Sequence, residues 1–154
     1  MDYITVKWLH ILSSTLLFGT GLGSAFYMLC TSLTRDVRST ATVVRFVVIA
    51  DWLFTLPTII IQPVTGFYLV HLAGFQLSSG WIIWSIVLYL VAGACWLPVV
   101  WLQLRMHKLA QHAASINAAL PPLYWRYFKA WVLLGIPAFA ALVVVFYLMV
   151  AKPV

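Results

Sequence analysis

Long stretches without charge constrain this 154-residue chain more than any other feature. Residues 8–34 and 130–151 contain no Lys, Arg, Asp or Glu, and Asp51 is the only charged residue between Arg45 and Arg105. A helix needs about 20 apolar residues to cross the roughly 30 Å hydrocarbon layer of a membrane. Only 8% of the residues are charged, whereas a soluble domain carries roughly 25%. The sequence therefore predicts an integral membrane protein.

The apolar stretches divide into four predicted spans, near residues 4–30, 46–72, 81–104 and 129–151. The second and third spans are separated at HLAGFQLSSG, residues 71–80, where Gly, Ser and Gln permit a turn. Residues 105–120 are expected to continue the third span as a cytoplasmic helix, which Pro121 and Pro122 end. Four helices with short connections predict an all-α up-down-up-down bundle in a single domain, residues 1–154.

The basic residues predict how the bundle is oriented. Seven of them flank the first and third connections, whereas only Lys7 and Lys152 lie near the termini. The seven are Arg35, Arg38, Arg45, Arg105, Lys108, Arg126 and Lys129. Cytoplasmic loops carry the excess of Lys and Arg, so both termini are expected in the periplasm of a bacterial inner membrane. The net charge of +6 is a topology signal, and we read no nucleic-acid binding from it.

His10 begins a stripe of small and polar residues in the first span. At helical spacing it is followed by Ser13, Ser14, Leu17, Gly21, Ser24 and Met28. In lipid, ionisable residues usually turn inward and small residues mark contacts between helices. We therefore expect His10 to point into the bundle. The pairs Gly19/Gly23 and Gly21/Ala25 are expected to permit close backbone approach.

The second span carries a matching polar stripe that should meet the first. It comprises Asp51, Thr55, Thr58, Gln62, Thr65 and Gly66. Pro57 and Pro63 are expected to kink this helix and to free backbone carbonyls that can line a site. Asp51 has two interpretations: an ion pair with Arg45, Arg126 or Lys129, or a role in proton handling or substrate binding.

Two sets of residues could hold a metal. His71 ends the second span on the same side as His10, and two inward histidines at matched depth suit a bis-imidazole haem. His71 lies about 180° around an ideal helix from Gln62, so an interfacial position is the alternative. A copper site would use softer ligands, Met28 and Cys30 with Met106 and His107.

Three segments carry a family resemblance. KWLHILSSTLLFGTGLGSAF (7–26), LPTIIIQPVTGFYLV (56–70) and LVAGACWLPVVWLQLRM (90–106) resemble uncharacterised bacterial four-span proteins described as predicted integral membrane proteins. More distantly, the chain is similar to HemJ-type protoporphyrinogen oxidases and to CopD membrane domains. The HemJ-like features are K-x-L-H-I at 7–11, the Pro and Thr-Gly pattern at 63–66, and VAKPV at 150–154.

The HemJ resemblance implies a four-helix bundle that binds haem or porphyrin, with His10 as the position that carries over. HemJ-type proteins also use a lysine in the third span, and residues 81–104 contain none, which argues against the oxidase activity.

The sequence thus favours a small membrane protein that binds haem b or a porphyrin for electron transfer or haem handling. The expected cofactor-binding residues are His10, His71, Ser14, Gly21, Gln62 and Thr65, with His10 and His71 on the haem iron. If the protein is an enzyme, we expect a cofactor-dependent membrane oxidoreductase. The alternative is a non-catalytic transport or accessory protein, including a copper-handling one. The expected partner is the lipid bilayer, and a homodimer and the redox partner stay open.

Overall fold

The computed structural model describes residues 2–153 and shows helices with no β-strand in that range. Four helices are long and apolar enough to cross a membrane, which confirms the predicted all-α membrane architecture. The elements are α1 (Tyr3–Thr34), α2 (Val37–Ala50), a π-helical turn (Asp51–Thr55), α3 (Leu56–Leu72), α4 (Gly80–Ser115) and α5 (Pro122–Ala151). The π-turn joins α2 and α3 into one continuous helix, Val37–Leu72. Met1 and Val154, the ends of the predicted domain, lie outside the described residues.

The helices extend beyond the predicted spans. Most of the extra length lies at the end of the bundle where the first and third connections carry Arg35, Arg38, Arg105 and Arg126, which we call the arginine-rich end. The second transmembrane helix begins at Val37 instead of residue 46, and α5 begins at Pro122 instead of residue 129. Pro122 occupies the first turn, where its missing N–H is not needed. Helix α4 ends at Ser115, before the predicted end at residue 120. It ends there because Asn117 takes the left-handed conformation, with φ of 52°, which Asn tolerates better than most residues.

The first and third connections meet at the arginine-rich end. The Arg38 guanidinium donates to Asn117 Oδ1 at 2.9 Å, and Arg35 lies 5.8 Å from the centre of the Trp125 ring. At the opposite end, Lys152 Nζ lies 4.8 Å from the centre of the Phe75 ring in the second connection. These contacts group the first and third connections at one end, and the second connection and the end of α5 at the other, as an up-down-up-down bundle requires.

The most tightly packed part of the core lies toward the arginine-rich end. Met28, Val44, Met106 and Tyr124 are fully buried there, each on a different transmembrane helix. The Ser32 and Tyr124 hydroxyls lie 2.7 Å apart and join α1 to α5. Large apolar side chains remain exposed along the outer faces of all four helices. In a bilayer those faces contact lipid.

Proline shapes the second transmembrane helix, as the sequence predicts. Pro63 has no N–H to donate to the carbonyl of Ile59, one turn earlier. The Tyr89 hydroxyl from α4 donates to that Ile59 oxygen at 2.7 Å. The π-turn precedes Pro57, and there the Leu56 N–H donates to the Asp51 carbonyl. π-turns of this kind occur frequently at functional sites.

Candidate functional site

The polar stripe of the second transmembrane helix faces the interior of the bundle. Asp51, Thr55, Thr58 and Gln62 are all buried, and Thr65 is half-buried. On α1, Ser13, Leu17 and Met28 are buried along the line that begins at half-buried His10. The burial confirms that the second stripe turns inward and that Ser13, Leu17 and Met28 of the first do so, whereas Gly21 is exposed.

The two stripes meet at His10. Its Nδ1 lies 2.7 Å from Thr65 Oγ1, and the Gln62 side-chain amide donates to the His10 carbonyl oxygen at 2.8 Å. Both contacts join α1 to α3, so the histidine is fixed through its ring and through its backbone. We call His10, Gln62, Thr65 and Gly66 the His10 cluster.

The hydrogen bonds of Thr65 limit the tautomers available to His10. The Thr65 hydroxyl donates to the Ile61 carbonyl oxygen at 2.7 Å and has only one hydrogen to give. When that hydrogen goes to Ile61, Thr65 Oγ1 accepts from the Nδ1–H of His10 and Nε2 keeps a free lone pair; a bond from Thr65 to Nδ1 would instead place the ring hydrogen on Nε2. Within residues 2–153, Nε2 has no hydrogen-bond partner, and it is not one of the fully buried polar atoms that lack one. A histidine held through one nitrogen in this way is typical of metal-ligating imidazoles.

Gly66 is the position where α3 lies against the imidazole. A Cβ built there would lie 3.3 Å from His10 Cε1, tighter than ordinary van der Waals contact. Only glycine therefore leaves the ring in its present position without displacement.

The glycines of α1 do not make the close helix contact that the sequence predicts. A Cβ at Gly19, Gly21 or Gly23 would meet nothing within 4 Å among the described residues. Gly19 and Gly23 instead border an apolar groove of about 450 Å³, which the second transmembrane helix closes with Phe46 and Phe54. The expectation is wrong because these glycines face the groove or the outer surface and no neighbouring helix.

Other sequence-predicted site residues lie away from the cluster. The Ser14 hydroxyl donates to the Ile11 carbonyl oxygen within α1, and Gly21 is exposed about three turns beyond His10 on the same helix. His71 is exposed and lies six residues after Thr65, about 9 Å further along α3. The cofactor-binding roles of Ser14, Gly21 and His71 stay predictions.

Asp51 does not form the ion pair that the sequence allows. Its Oδ1 accepts from the Thr55 hydroxyl at 2.8 Å, and its Oδ2 has no partner within residues 2–153. Arg45 is exposed and its guanidinium lies over the neighbouring Phe46 ring. The pairing is absent because Asp51 turns into the bundle while the guanidinium stays at the outer surface.

The candidate copper ligands differ in exposure, and their role stays a prediction. Met28 and Met106 are fully buried in the core, whereas Cys30 is exposed on the outer side of α1. Among the described residues, no group of three or more His, Cys, Asp or Glu side chains could hold a metal ion.

The amino-acid sequence matches one protein family along nearly its whole length. The family described as "Predicted integral membrane protein (DUF2269)" matches residues 4–153. The chain belongs to this family. The comparisons with curated proteins and with solved structures gave no match.

The sequence alone did not identify two polar residues inside this DUF2269 protein. Gln103 is buried in α4 beside Asp51, and Tyr89 satisfies the carbonyl freed by Pro63. A signal was present for Gln103, because a glutamine within an apolar span is costly unless it faces another polar group. No sequence signal pairs Tyr89 with Ile59, since that contact depends on how two helices pack.

Proposed function

We propose that the protein binds haem or a porphyrin in the membrane, with His10 Nε2 as an axial ligand of the haem iron. The observation that carries the proposal is the hydrogen bond from His10 Nδ1 to Thr65. With the Thr65 hydroxyl donating to Ile61, this bond favours the neutral tautomer whose other nitrogen is a free acceptor. Neutral imidazole nitrogen is a standard ligand of haem iron.

The residues around His10 fit such a group at one axial position. Thr65 orients the ring, Gly66 keeps the adjoining helix face flat, and Gln62 fixes the backbone of α1. Lys7 lies about one turn nearer the helix end and is exposed, so its ammonium would pair with a haem propionate. Bound haem would supply one-electron chemistry, and the chain would hold the group and exclude water from it.

The proposed site depends on His10 and not on His71. His71 lies about 9 Å further along α3 and is exposed, so it faces a different part of the surface from the His10 cluster. The distant HemJ resemblance points to the same residue, because His10 is the position that carries over.

A second candidate function is supported by the same contacts. Gln62 and Thr65 satisfy polar atoms of His10 across the helix interface, and such bonds stabilise membrane bundles by themselves. In that case His10 is a structural contact in a non-catalytic transport or accessory protein, including a copper-handling one.

Absorption spectra separate the two functions. Protein purified from membranes is compared with the His10→Ala variant and with His112→Ala, which removes an exposed histidine of α4. The haem proposal expects a Soret band that shifts on reduction in the wild type and in His112→Ala. The proposal also expects that His10→Ala shows no such band even when haemin is added to the purified protein.

A structural role predicts a different pattern. His10→Ala would lower the thermal stability of the bundle, and no variant would bind haemin. A wild type that binds no haemin, or an unchanged band in His10→Ala, contradicts the haem proposal. Metal analysis of the same preparations tests the copper alternative.

A further inference from the structure

Asp51 and Gln103 each carry one buried oxygen without a hydrogen-bond partner among the described residues. Asp51 is only 6% exposed and Gln103 only 4% exposed, and both lie nearer the arginine-rich end of their predicted spans than the opposite end. The Gln103 side chain lies against the Asp51 carboxyl group. Asp51 Oδ2 and Gln103 Oε1 are both sealed from solvent and have no hydrogen-bond partner within residues 2–153.

An ionised Asp51 would leave this arrangement incomplete. A carboxylate inside a membrane protein needs a cation or several donors, because burying an unpaired charge is very costly. Thr55 supplies one hydrogen bond to Oδ1, and no cation contacts the carboxyl group among the described residues. A single proton on Oδ2 removes the charge, and the new O–H can donate to Gln103 Oε1. This bond would give both buried oxygens, Asp51 Oδ2 and Gln103 Oε1, a partner.

We propose that Asp51 and Gln103 form a proton-binding site in the membrane, which is loaded from the arginine-rich end. Asp51 Oδ2 accepts one proton that originates from water, and the charge of the site changes from −1 to 0. The resulting hydroxyl donates to Gln103 Oε1, while Oδ1 continues to accept from Thr55. This inference is independent of haem binding at His10.

One face of α4 provides the route for loading. Gln103, His107 and Gln111 follow one another at intervals of four residues, which places them on the same face of a helix. His107 is half-buried and its Nδ1 has no partner within residues 2–153. Gln111 lines an open cleft of about 310 Å³ together with Arg45. The polar face therefore runs from water at the arginine-rich end to Asp51.

Few charged groups surround the site. On α4 the nearest titratable side chain is His107, and Arg45 of α2 lies close to that histidine. Residues 11–26 of α1, which packs against the π-turn, contain no titratable side chain. The site is therefore free of competing charges except at its entrance.

Infrared spectroscopy tests the site with little ambiguity, because the chain contains no Glu and only three Asp. Asp2 and Asp36 are exposed, so at neutral pH a carboxylic-acid C=O band belongs to Asp51. The full chain in nanodiscs is compared with Asp51→Asn and with the control Asp36→Asn. We expect the band in the wild type and in Asp36→Asn, and no band in Asp51→Asn. Gln103→Leu should change the frequency of the band.

The loading route has its own test in the same samples. After transfer to D₂O the band shifts as the proton is exchanged. We expect His107→Leu to slow this exchange severalfold and the exposed control His112→Leu to leave it unchanged. Absence of the band at neutral pH, or its persistence in Asp51→Asn, overturns the proton site. Equal exchange in His107→Leu and the wild type overturns the route.

Discussion

At the scale of single residues, His10 shows how a polar side chain in lipid acquires a defined chemical state. The sequence places it on an inward stripe, and the matching stripe of the second span contains Gln62 and Thr65. Their meeting could be predicted because ionisable residues avoid lipid. The tautomer could not be predicted, since it depends on the Thr65 hydroxyl donating to Ile61 at 2.7 Å.

The contact between Gly66 and the imidazole gives the first prediction. In Gly66→Ala the added methyl group would lie 3.3 Å from His10 Cε1, so the ring must move and its bond to Thr65 must weaken. Overpacking of this kind typically costs about 1–3 kcal/mol. We expect a lower midpoint of thermal unfolding in detergent and a weaker affinity in a haemin titration.

Gly19→Ala is the matched control for this prediction. No described atom lies within 4 Å of a Cβ at Gly19, and alanine favours a helix over glycine by up to about 1 kcal/mol. We expect Gly19→Ala to leave haemin binding unchanged and stability equal or higher. Equal losses of stability and of haemin binding in Gly66→Ala and Gly19→Ala would show that the contact between Gly66 and His10 contributes to neither.

At the scale of elements, the carbonyl that Pro63 frees in the second transmembrane helix is bound by α4. Pro57 and Pro63 predict a disturbed helix from sequence alone. The partner of the freed Ile59 carbonyl could not be predicted, because Tyr89 reaches it only after the helices pack.

Removal of the Tyr89 hydroxyl tests this coupling. Tyr89→Phe leaves the Ile59 oxygen without its donor, and an unsatisfied buried acceptor costs about 1–3 kcal/mol. We expect a lower midpoint of thermal unfolding. Tyr147→Phe, which removes an exposed hydroxyl of α5, should leave the midpoint unchanged. The interpretation fails if both variants behave like the wild type.

The start of α2 gives a pH-dependent prediction. The Ser39 hydroxyl and then the Arg38 N–H donate to Asp36, and these bonds lower the pKa of its carboxyl group below the usual 3.8. Because the pKa of Asp36 is depressed in the folded protein, its carboxylate stabilises the start of α2 fully above pH 3.8. This stabilisation is lost as the pH falls through the folded pKa.

Amide hydrogen exchange at residues 38–40 measures this loss. Protection in the wild type should fall below pH 3.8 relative to Asp36→Asn at the same pH, since asparagine does not titrate. A constant ratio between the two proteins across that range would contradict the role of the Asp36 carboxylate.

At the scale of the whole molecule, sequence gives the number of spans more reliably than their ends. Charge-free stretches locate four helices because hydrocarbon excludes charge. They do not show that α2 begins at Val37 or that α4 ends at Ser115, since those ends lie beyond the apolar stretches. They also do not reveal the pair of Asp51 and Gln103, whose meeting depends on how α4 packs against the second transmembrane helix.

The orientation of the bundle in the membrane stays a prediction from the basic residues. Seven Lys and Arg at one end predict that this end faces the cytoplasm. Alkaline phosphatase fused after residue 152 should therefore be active in a bacterial host, and the same enzyme fused after residue 117 should be inactive. The reverse pattern would show that both termini are cytoplasmic.

The central claim is that His10, acting without His71, provides the axial ligand for haem. It is tested most directly by absorption spectra of haemin-loaded His10→Ala and His71→Ala proteins at equal concentration. We predict that His71→Ala keeps the Soret band of the wild type and that His10→Ala loses it. Loss of the band in His71→Ala with retention in His10→Ala would contradict the account.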